Sequence, residues 1–222
     1  MRSLTFYDLI EAFDQSGCAI CRLALRDVKR HLDSLLYEYS TDPQVHRAMR
    51  NGRGLCNVHS WQLTEIMGSA LNTAVLFSSA LLAVRETATM NGSARRTAER
   101  LAPRVVCSAC QTLHQTEQFC FEVFVRSLDE PTFAATWQAS DGLCLPHLRL
   151  LLPLVTADQA ARLLSHQQTV WRRLQDELEA FQRSFQAEHS AEPLSQAVAT
   201  SWQRCIAMLT GERSVFGLAR HD

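Results

Sequence analysis

The chain has 222 residues, 46% of them hydrophobic and 20% charged, with a net charge of −1. That length and balance fill a core in one large domain or two small ones. A pI near 6.7 leaves no global basic field, so non-specific binding to nucleic acid, which needs many phosphate contacts, is not favoured. Gly and Pro are few, while Ala, Leu, Gln, Glu and Arg dominate, which favours helix.

The first residues, Met1 to Asp8, lack the apolar core of a secretory signal, and Asp8 and Glu11 come early. The expected setting is cytoplasmic, where eight cysteines serve as thiolates rather than disulfides. Phe6, Leu9, Ile10 and Phe13 give residues 5–15 one apolar stripe, and Ser16-Gly17 ends that short helix. A second helix runs from Cys18 to about Tyr39, with Ile20, Leu23, Leu25, Val28, Leu32, Leu35 and Leu36 on its buried side. Asp42-Pro43 starts a short helix to about Met49, and 51–54 form a loop. From Cys56 one long helix is expected to about Thr89, with Trp61, Leu63, Ile66, Leu71, Val75 and Leu82 in the core. Within it, Ile66 to Val84 carries no charge over 19 residues, close to a bilayer span. Gly68, Ser69, Asn72, Thr73, Ser78 and Ser79 fit a buried helix better, so contact with a membrane is not expected.

Met90 to Ser93 breaks that helix, and residues 91–104, with Arg95, Arg96, Arg100 and Arg104, read as a solvated linker. The plan then recurs. A helix from Cys110 to about Leu128 carries Leu113, Phe119, Phe121, Phe124 and Val125. Glu130-Pro131 opens a short helix to Trp137, and another runs from Cys144 to Leu152. Pro153 stops it, and Thr156 caps a long helix to about Ala187. A last helix spans Ser190 to Leu209, stopped by Gly211. No period-two strand pattern is present.

The chemistry lies in a duplicated motif. Cys18-x-x-Cys21 precedes Gly54-Leu55-Cys56-Asn57-Val58-His59, and Cys107-x-x-Cys110 precedes Gly142-Leu143-Cys144-Leu145-Pro146-His147. There are 34 residues between Cys21 and Cys56 and 33 between Cys110 and Cys144. Cys107 is displaced from Cys18 by 89 positions and Cys144 from Cys56 by 88, which marks an internal duplication. The expected fold is an all-α, internally duplicated multi-helix bundle, each half carrying one metal site. Its segments are a first repeat at 1–90, a linker at 91–104, a second repeat at 105–189 and a C-terminal helix and tail at 190–222.

Three sulfurs and one imidazole, twice, match two closed tetrahedral zinc sites. Ligands three residues apart share one helical face, and a helix start favours anionic sulfur. Pairing within a repeat is feasible but nearly taut, because a helix of this length carries the chain roughly 30 Å from its own start. Cross-pairing, with Cys18 and Cys21 meeting Cys144 and His147, stays open. Four-iron–four-sulfur clusters are the alternative cofactor, since they also sit on cysteine thiolates. Thioredoxin-type redox and c-type haem readings fail: no βαβ setting is present, and Arg22 and Gln111, not His, follow the two CxxC pairs.

Cys120 and Cys205 read as small buried hydrophobes. His31, His46, His114, His166, His189 and His221 carry no pattern, with His114 the reserve ligand because it lies one helical turn beyond Cys110. Trp61, Trp137, Trp171 and Trp202 read as core anchors, and Asp8, Glu11, Asp14, Glu65 and Glu86 as solvated. Phosphate loops, nucleophile elbows and HExxH are absent from the sequence.

The Gly-Leu-Cys-x-x-His tracts behind CxxC helices, the Asp42-Pro43 turn and the closing Trp202 to Gly211 segment resemble a family of uncharacterised bacterial helical proteins. The resemblance implies a helical fold and a bacterial cytosolic setting, and it brings no activity. Three functions follow from the motif. The first is an adaptor or regulator with two structural zinc sites, which meets a protein partner or a second copy through a surface such as Leu163 to Phe185. The second is a redox protein carrying iron–sulfur clusters. The third is an enzyme in which water replaces His59 or His147 on zinc.

Overall fold

The computed structural model describes residues 3–88, 93–185 and 193–216. Among them are eleven α-helices and no strand, as the composition implies. They are α1 (Leu4–Phe13), α2 (Ala19–Tyr37), α3 (Pro43–Gly52), α4 (Asn57–Thr64), α5 (Ala70–Ala88), α6 (Ala94–Leu101), α7 (Ser108–Ser127), α8 (Pro131–Ala139), α9 (Leu145–Leu151), α10 (Ala157–Arg183) and α11 (Gln196–Thr210). A 3-10 turn at Leu152–Leu154 follows α9, where Pro153 cannot donate to a helical ladder. The break expected at 90–92, the start of the last helix at Ser190, His189 and His221 lie outside the described residues.

The caps follow sequence chemistry. Asp42 accepts the Gln44 N–H at the start of α3, and Glu130 accepts the Phe133 N–H at the start of α8, each with Pro in the first turn. Thr156 and Gln159 form a reciprocal capping box on α10. The linker holds a helix of its own, α6, capped by Ser93 and burying none of its residues.

Two compact units result, and they do not coincide with the sequence repeats. One gathers Met1–Leu23 and Glu117–Phe216, and the other is built on Ala24–Thr116. The boundary falls inside α2 and inside α7, so each of these helices begins in one unit and ends in the other.

In the first unit, α1 packs on α8, and α11 packs on α9 and α10. Its centre is aromatic. Phe124 meets Phe13, Phe133 and Trp137 edge-on at centroid distances of 5.9, 5.3 and 5.1 Å. These are the T-shaped contacts that ring quadrupoles favour. A second cluster joins Val170 and Leu174 of α10 to Met208 of α11, with Trp171, Leu178 and Cys205 against it. The apolar side of α10 is therefore consumed inside its own unit, which corrects its assignment as a partner surface. Leu163, Val170 and Leu174 are buried, and Phe185 is exposed.

In the second unit, α5 packs on α3, α4 and α6. The single helix expected from Cys56 to Thr89 is broken at 65–69. Gly68 takes a left-handed φ of +73°, and the Ser69 carbonyl opens α5 by accepting the Thr73 N–H. The inward residues of α5 are Leu76, Ala80 and Ala83. Trp61 (66% exposed), Leu71 (74%) and Leu82 (44%) face outward instead of into the core, and Val75 is exposed too. The segment is apolar all round, so periodicity did not reveal which side would be covered. Trp202 is likewise 45% exposed, whereas Trp137 is buried. No described helix is long and apolar enough to cross a membrane.

Phe124 is fully buried against three rings. Phe124→Ala should lower unfolding free energy by about 3–5 kcal/mol, measured by chemical denaturation. A loss near zero would mean that this aromatic cluster is not the unit's core.

Candidate metal centres

Four of the eight motif residues begin helices. The carbonyls of Cys18, Cys56, Cys107 and Cys144 accept the N–H of Arg22, Ser60, Gln111 and Leu148, at 3.1, 2.9, 3.0 and 2.9 Å. At Cys56 and Cys144 the sulfur makes no capping hydrogen bond, so it remains available. The second motif residue then falls three positions on, one turn into the helix, on the same face as the first.

The structure brings the eight residues together in two quartets. Cys18, Cys21, Cys144 and His147 form one, and Cys56, His59, Cys107 and Cys110 form the other. Within each, the four donor atoms lie within 4.8 Å of one another. Each quartet thus joins the CxxC of one repeat to the Cys-x-x-His of the other, the cross-pairing that sequence spacing left open.

The distances are those of donors around a single ion. In the first quartet His147 Nδ1 is 3.4, 3.4 and 3.2 Å from the sulfurs of Cys18, Cys21 and Cys144, and Cys21 is 3.6 Å from Cys144. In the second, His59 Nδ1 is 3.1, 3.6 and 3.4 Å from Cys56, Cys107 and Cys110, and Cys110 is 3.6 Å from Cys56. A tetrahedral zinc with its usual bond lengths sets its donors roughly 3.5–3.8 Å apart. None of the eight cysteines is in a disulfide.

Two charged residues at matching positions strap the ligand loops together. Asp141, just before Gly142, accepts the Ser16 hydroxyl at 2.8 Å and the Gly17 N–H at 3.0 Å, and pairs with Arg173 at 2.6 Å. It thereby ties the residues before Cys18 to the loop before Cys144. Arg53, just before Gly54, donates to the Arg100 carbonyl at 2.6 Å and to Thr87 at 3.3 Å. The Arg104 N–H also reaches the Asn51 carbonyl at 2.9 Å, so the loop before Cys56 is fixed to the chain before Cys107. The motif glycines serve the same turn. Gly142 has φ +73°, and a methyl group there would come within 2.6 Å of Gln167 Oε1, which accepts the Leu143 N–H. Gly54 has φ +98° and lies against Phe77.

The thiols and imidazoles of each quartet shift one another strongly. Burial pushes the Cys18 thiol up, but hydrogen bonds with Cys144, Cys21 and His147 outweigh it and hold the thiol well below its usual range. Burial disfavours charge on His147, yet Cys144, Cys18 and Glu117 raise it well above an ordinary imidazole. His59 is opposed by burial in the same way and lifted by Cys107 and Cys56 to about 9. Cys107 is lowered by Cys110 and Cys56, while hydrogen bonding to Cys107 and Cys56 raises Cys110. Without metal, charge on sulfur is thus favoured at Cys18 in the first quartet and at Cys107 in the second, and opposed at Cys21, Cys144 and Cys110.

One contributor is absent from the sequence reading. Glu117 of α7 is buried and its Oε1 lies 2.9 Å from His147 Nε2. That contact puts the Nε2 proton toward Glu117 and leaves Nδ1 free to bind, the arrangement of a carboxylate–histidine–metal triad. Its signal was a lone charge on the stripe formed by Leu113, Phe121 and Phe124. His114, the reserve ligand, is exposed and belongs to neither quartet. Cys120 is buried, and Cys205 packs against the α10–α11 cluster. Glu86 pairs with Arg50 at 2.8 Å.

No family model matches the chain, and no solved structure matches it. It is 24% identical over 159 residues to a protein of Caldicellulosiruptor sp. (strain Rt8B.4) described as an uncharacterized 23.9 kDa protein in the xynA 3′ region. The similarity covers 69% of this chain and 74% of that protein.

Burial pushes the Asp141 carboxyl up, but Ser16, Gly17, Arg173 and Arg204 together hold it below its ordinary value. A carboxyl depressed by folding stabilises the fold above its unfolded pKa, and that contribution disappears as pH falls through the folded value. Asp141→Ala should cost about 1.5–3 kcal/mol at pH 7, from lost charge-assisted hydrogen bonds. The difference from the parent chain should shrink below about pH 4, where the free carboxyl protonates. Denaturation across pH checks this; a gap independent of pH would remove Asp141 from the strap.

Proposed function

We propose that this protein is a helical module stapled by two structural zinc ions, one in each quartet, and that it acts as an adaptor or regulator. The observation that carries this reading is the pair of four-donor sets at single-ion spacing. Three thiolates and a neutral imidazole suit zinc. With four protein donors, including both histidines, each set closes its ion without an open position, which favours structure over catalysis. An iron–sulfur cluster places its ligands on different irons around a cage. The spacing favours one ion over such a cage.

Because the sites are closed, action falls to the surface. Leu71, Leu81 and Leu82 of α5 and Trp61 of α4 are exposed, and exposed apolar side chains of this size on neighbouring helices suit a protein partner or a second copy. Eight cysteines with no disulfide among them suit a reducing compartment such as the cytoplasm.

Elemental analysis of protein purified without oxygen should give two zinc per chain and negligible iron. Pairs of substitutions read the ligand sharing directly. Cys18→Ser with Cys144→Ser should leave one zinc, whereas Cys18→Ser with Cys56→Ser should leave none. The opposite pattern would assign the ligands within repeats, and iron with labile sulfide would replace zinc by clusters.

Metal uptake must also displace protons. Zinc added to metal-free protein at pH 7 should release them, because His59 with a pKa of about 9 is then protonated and the thiols of Cys21, Cys110 and Cys144 are pushed up. Calorimetry in buffers of different ionisation enthalpy measures the release; heats independent of buffer would refute it.

A further inference from the structure

The two quartets share a ligand set but not their surroundings. In the first, Cys18, Cys21, Cys144 and His147 are all buried, the last three completely. The rings of Phe121 and Phe216 pack on His147 at centroid distances of 5.9 and 4.9 Å, and Glu117 holds its outer nitrogen. In the second, Cys56, Cys107 and Cys110 are only half-buried. His59 is buried, yet its Nε2 has no hydrogen-bond partner among the described residues.

The duplication explains the difference. The displacement of 89 that aligns Cys107 with Cys18 aligns Glu117 with Val28. Val28 is buried on α2 and has no group that can accept a proton from an imidazole. Where one repeat carries a carboxylate that meets the histidine, the matching position of the other carries Val28, which offers no acceptor. A histidine lacking that outer partner is a weaker ligand and is less firmly oriented, and loss of such a contact typically lowers metal affinity by about 10–100-fold. Half-buried sulfurs add a second difference, since a competing ligand can reach them.

We propose that the two zinc sites divide their roles: the Cys18, Cys21, Cys144 and His147 site is permanent, and the Cys56, His59, Cys107 and Cys110 site is an exchangeable zinc centre. This rests on the zinc reading above. The exchangeable ion passes to thiol-rich or chelating acceptors in simple ligand exchange. The acceptor's donors replace the protein's sulfurs and imidazole, the freed ligands take up protons from water, and no oxidation occurs. Glu117 acts as a positioning residue that separates the two rates.

The test begins from protein shown by elemental analysis to hold two zinc. Mixed with excess 4-(2-pyridylazo)resorcinol, it should release zinc in two phases of equal amplitude, at rates at least about 10-fold apart. Glu117→Gln should keep two zinc and speed the slow phase alone. In unaltered protein, iodoacetamide labelling followed by mass spectrometry should reach Cys56, Cys107 and Cys110 before Cys18, Cys21 and Cys144. Release in one phase, or labelling that starts at Cys18, Cys21 or Cys144, overturns the division while leaving two-zinc binding intact. A preparation that takes up no zinc overturns the parent reading instead.

Discussion

The length of two helices governs how the ligands are shared. At about 1.5 Å per residue, α2 carries the chain nearly 30 Å from Cys18 and Cys21 before α3 and α4 deliver Cys56 and His59. A return to the starting cysteines would use much of the reach of the segment between α2 and Cys56. Instead, the second half of α2 enters the unit built on Ala24–Thr116, where Cys107 and Cys110 begin α7. There the two helices run past each other in opposite directions: Thr116 donates to Asp27 at 3.0 Å, and His31 meets Ser108 at 2.9 Å. The mirror-image problem for α7 is solved in the same way, since its later half lies with Cys144 and His147. Each quartet therefore closes loops between distant parts of the chain, which is where a cross-link removes the most freedom from the unfolded state.

Duplication repeated the geometry and let the chemistry drift. Asp141 and Arg53 occupy the same position before the motif glycine and carry opposite charges, yet both pin a ligand loop to the residues ahead of the opposing CxxC. The work is the same because the targets differ: a carboxylate takes a hydroxyl and an N–H, and a guanidinium takes a carbonyl and a hydroxyl. Glu117 and Val28 show the other outcome, in which matching positions no longer do the same work. A strap can be rebuilt from either sign of charge, but an imidazole N–H can be satisfied only by an acceptor.

The eight residues that gather in the quartets stood out in the sequence because thiolate chemistry allows few substitutes, and the spacing of two residues between partners reports a helical turn. The helices around them were legible where one face is polar, as in α2 and α10, and where Asp, Glu or Thr caps a start. Illegible were the turn at 65–69 and the exposure of Leu71 and Leu82, because α5 is apolar on nearly every side and its pattern does not mark which side α3, α4 and α6 cover. The choice between intra- and cross-repeat pairing was also hidden, since chain length permitted both. Glu117 could have been suspected from its place among Leu113, Phe121 and Phe124, but its partner, His147, is 30 residues away in the chain.

The same ligands explain why metal and fold belong together. Without an ion, the first quartet buries a thiolate on Cys18 against an imidazolium on His147, with Glu117 as a further charge. Buried ion pairs of this kind recover little more than their own desolvation. Three thiolates around a divalent cation change that balance, because each sulfur then has a strong partner, and the histidine returns to its neutral form with Nε2–H donated to Glu117. A cluster that is marginal as a set of acids and bases becomes favourable as a coordination shell. The second quartet would gain the same shell but keep an imidazole nitrogen with no hydrogen-bond partner among the described residues and partly open sulfurs. An ion there would rest mainly on coordination, whereas one in the first quartet would have full burial and a carboxylate behind its histidine as well.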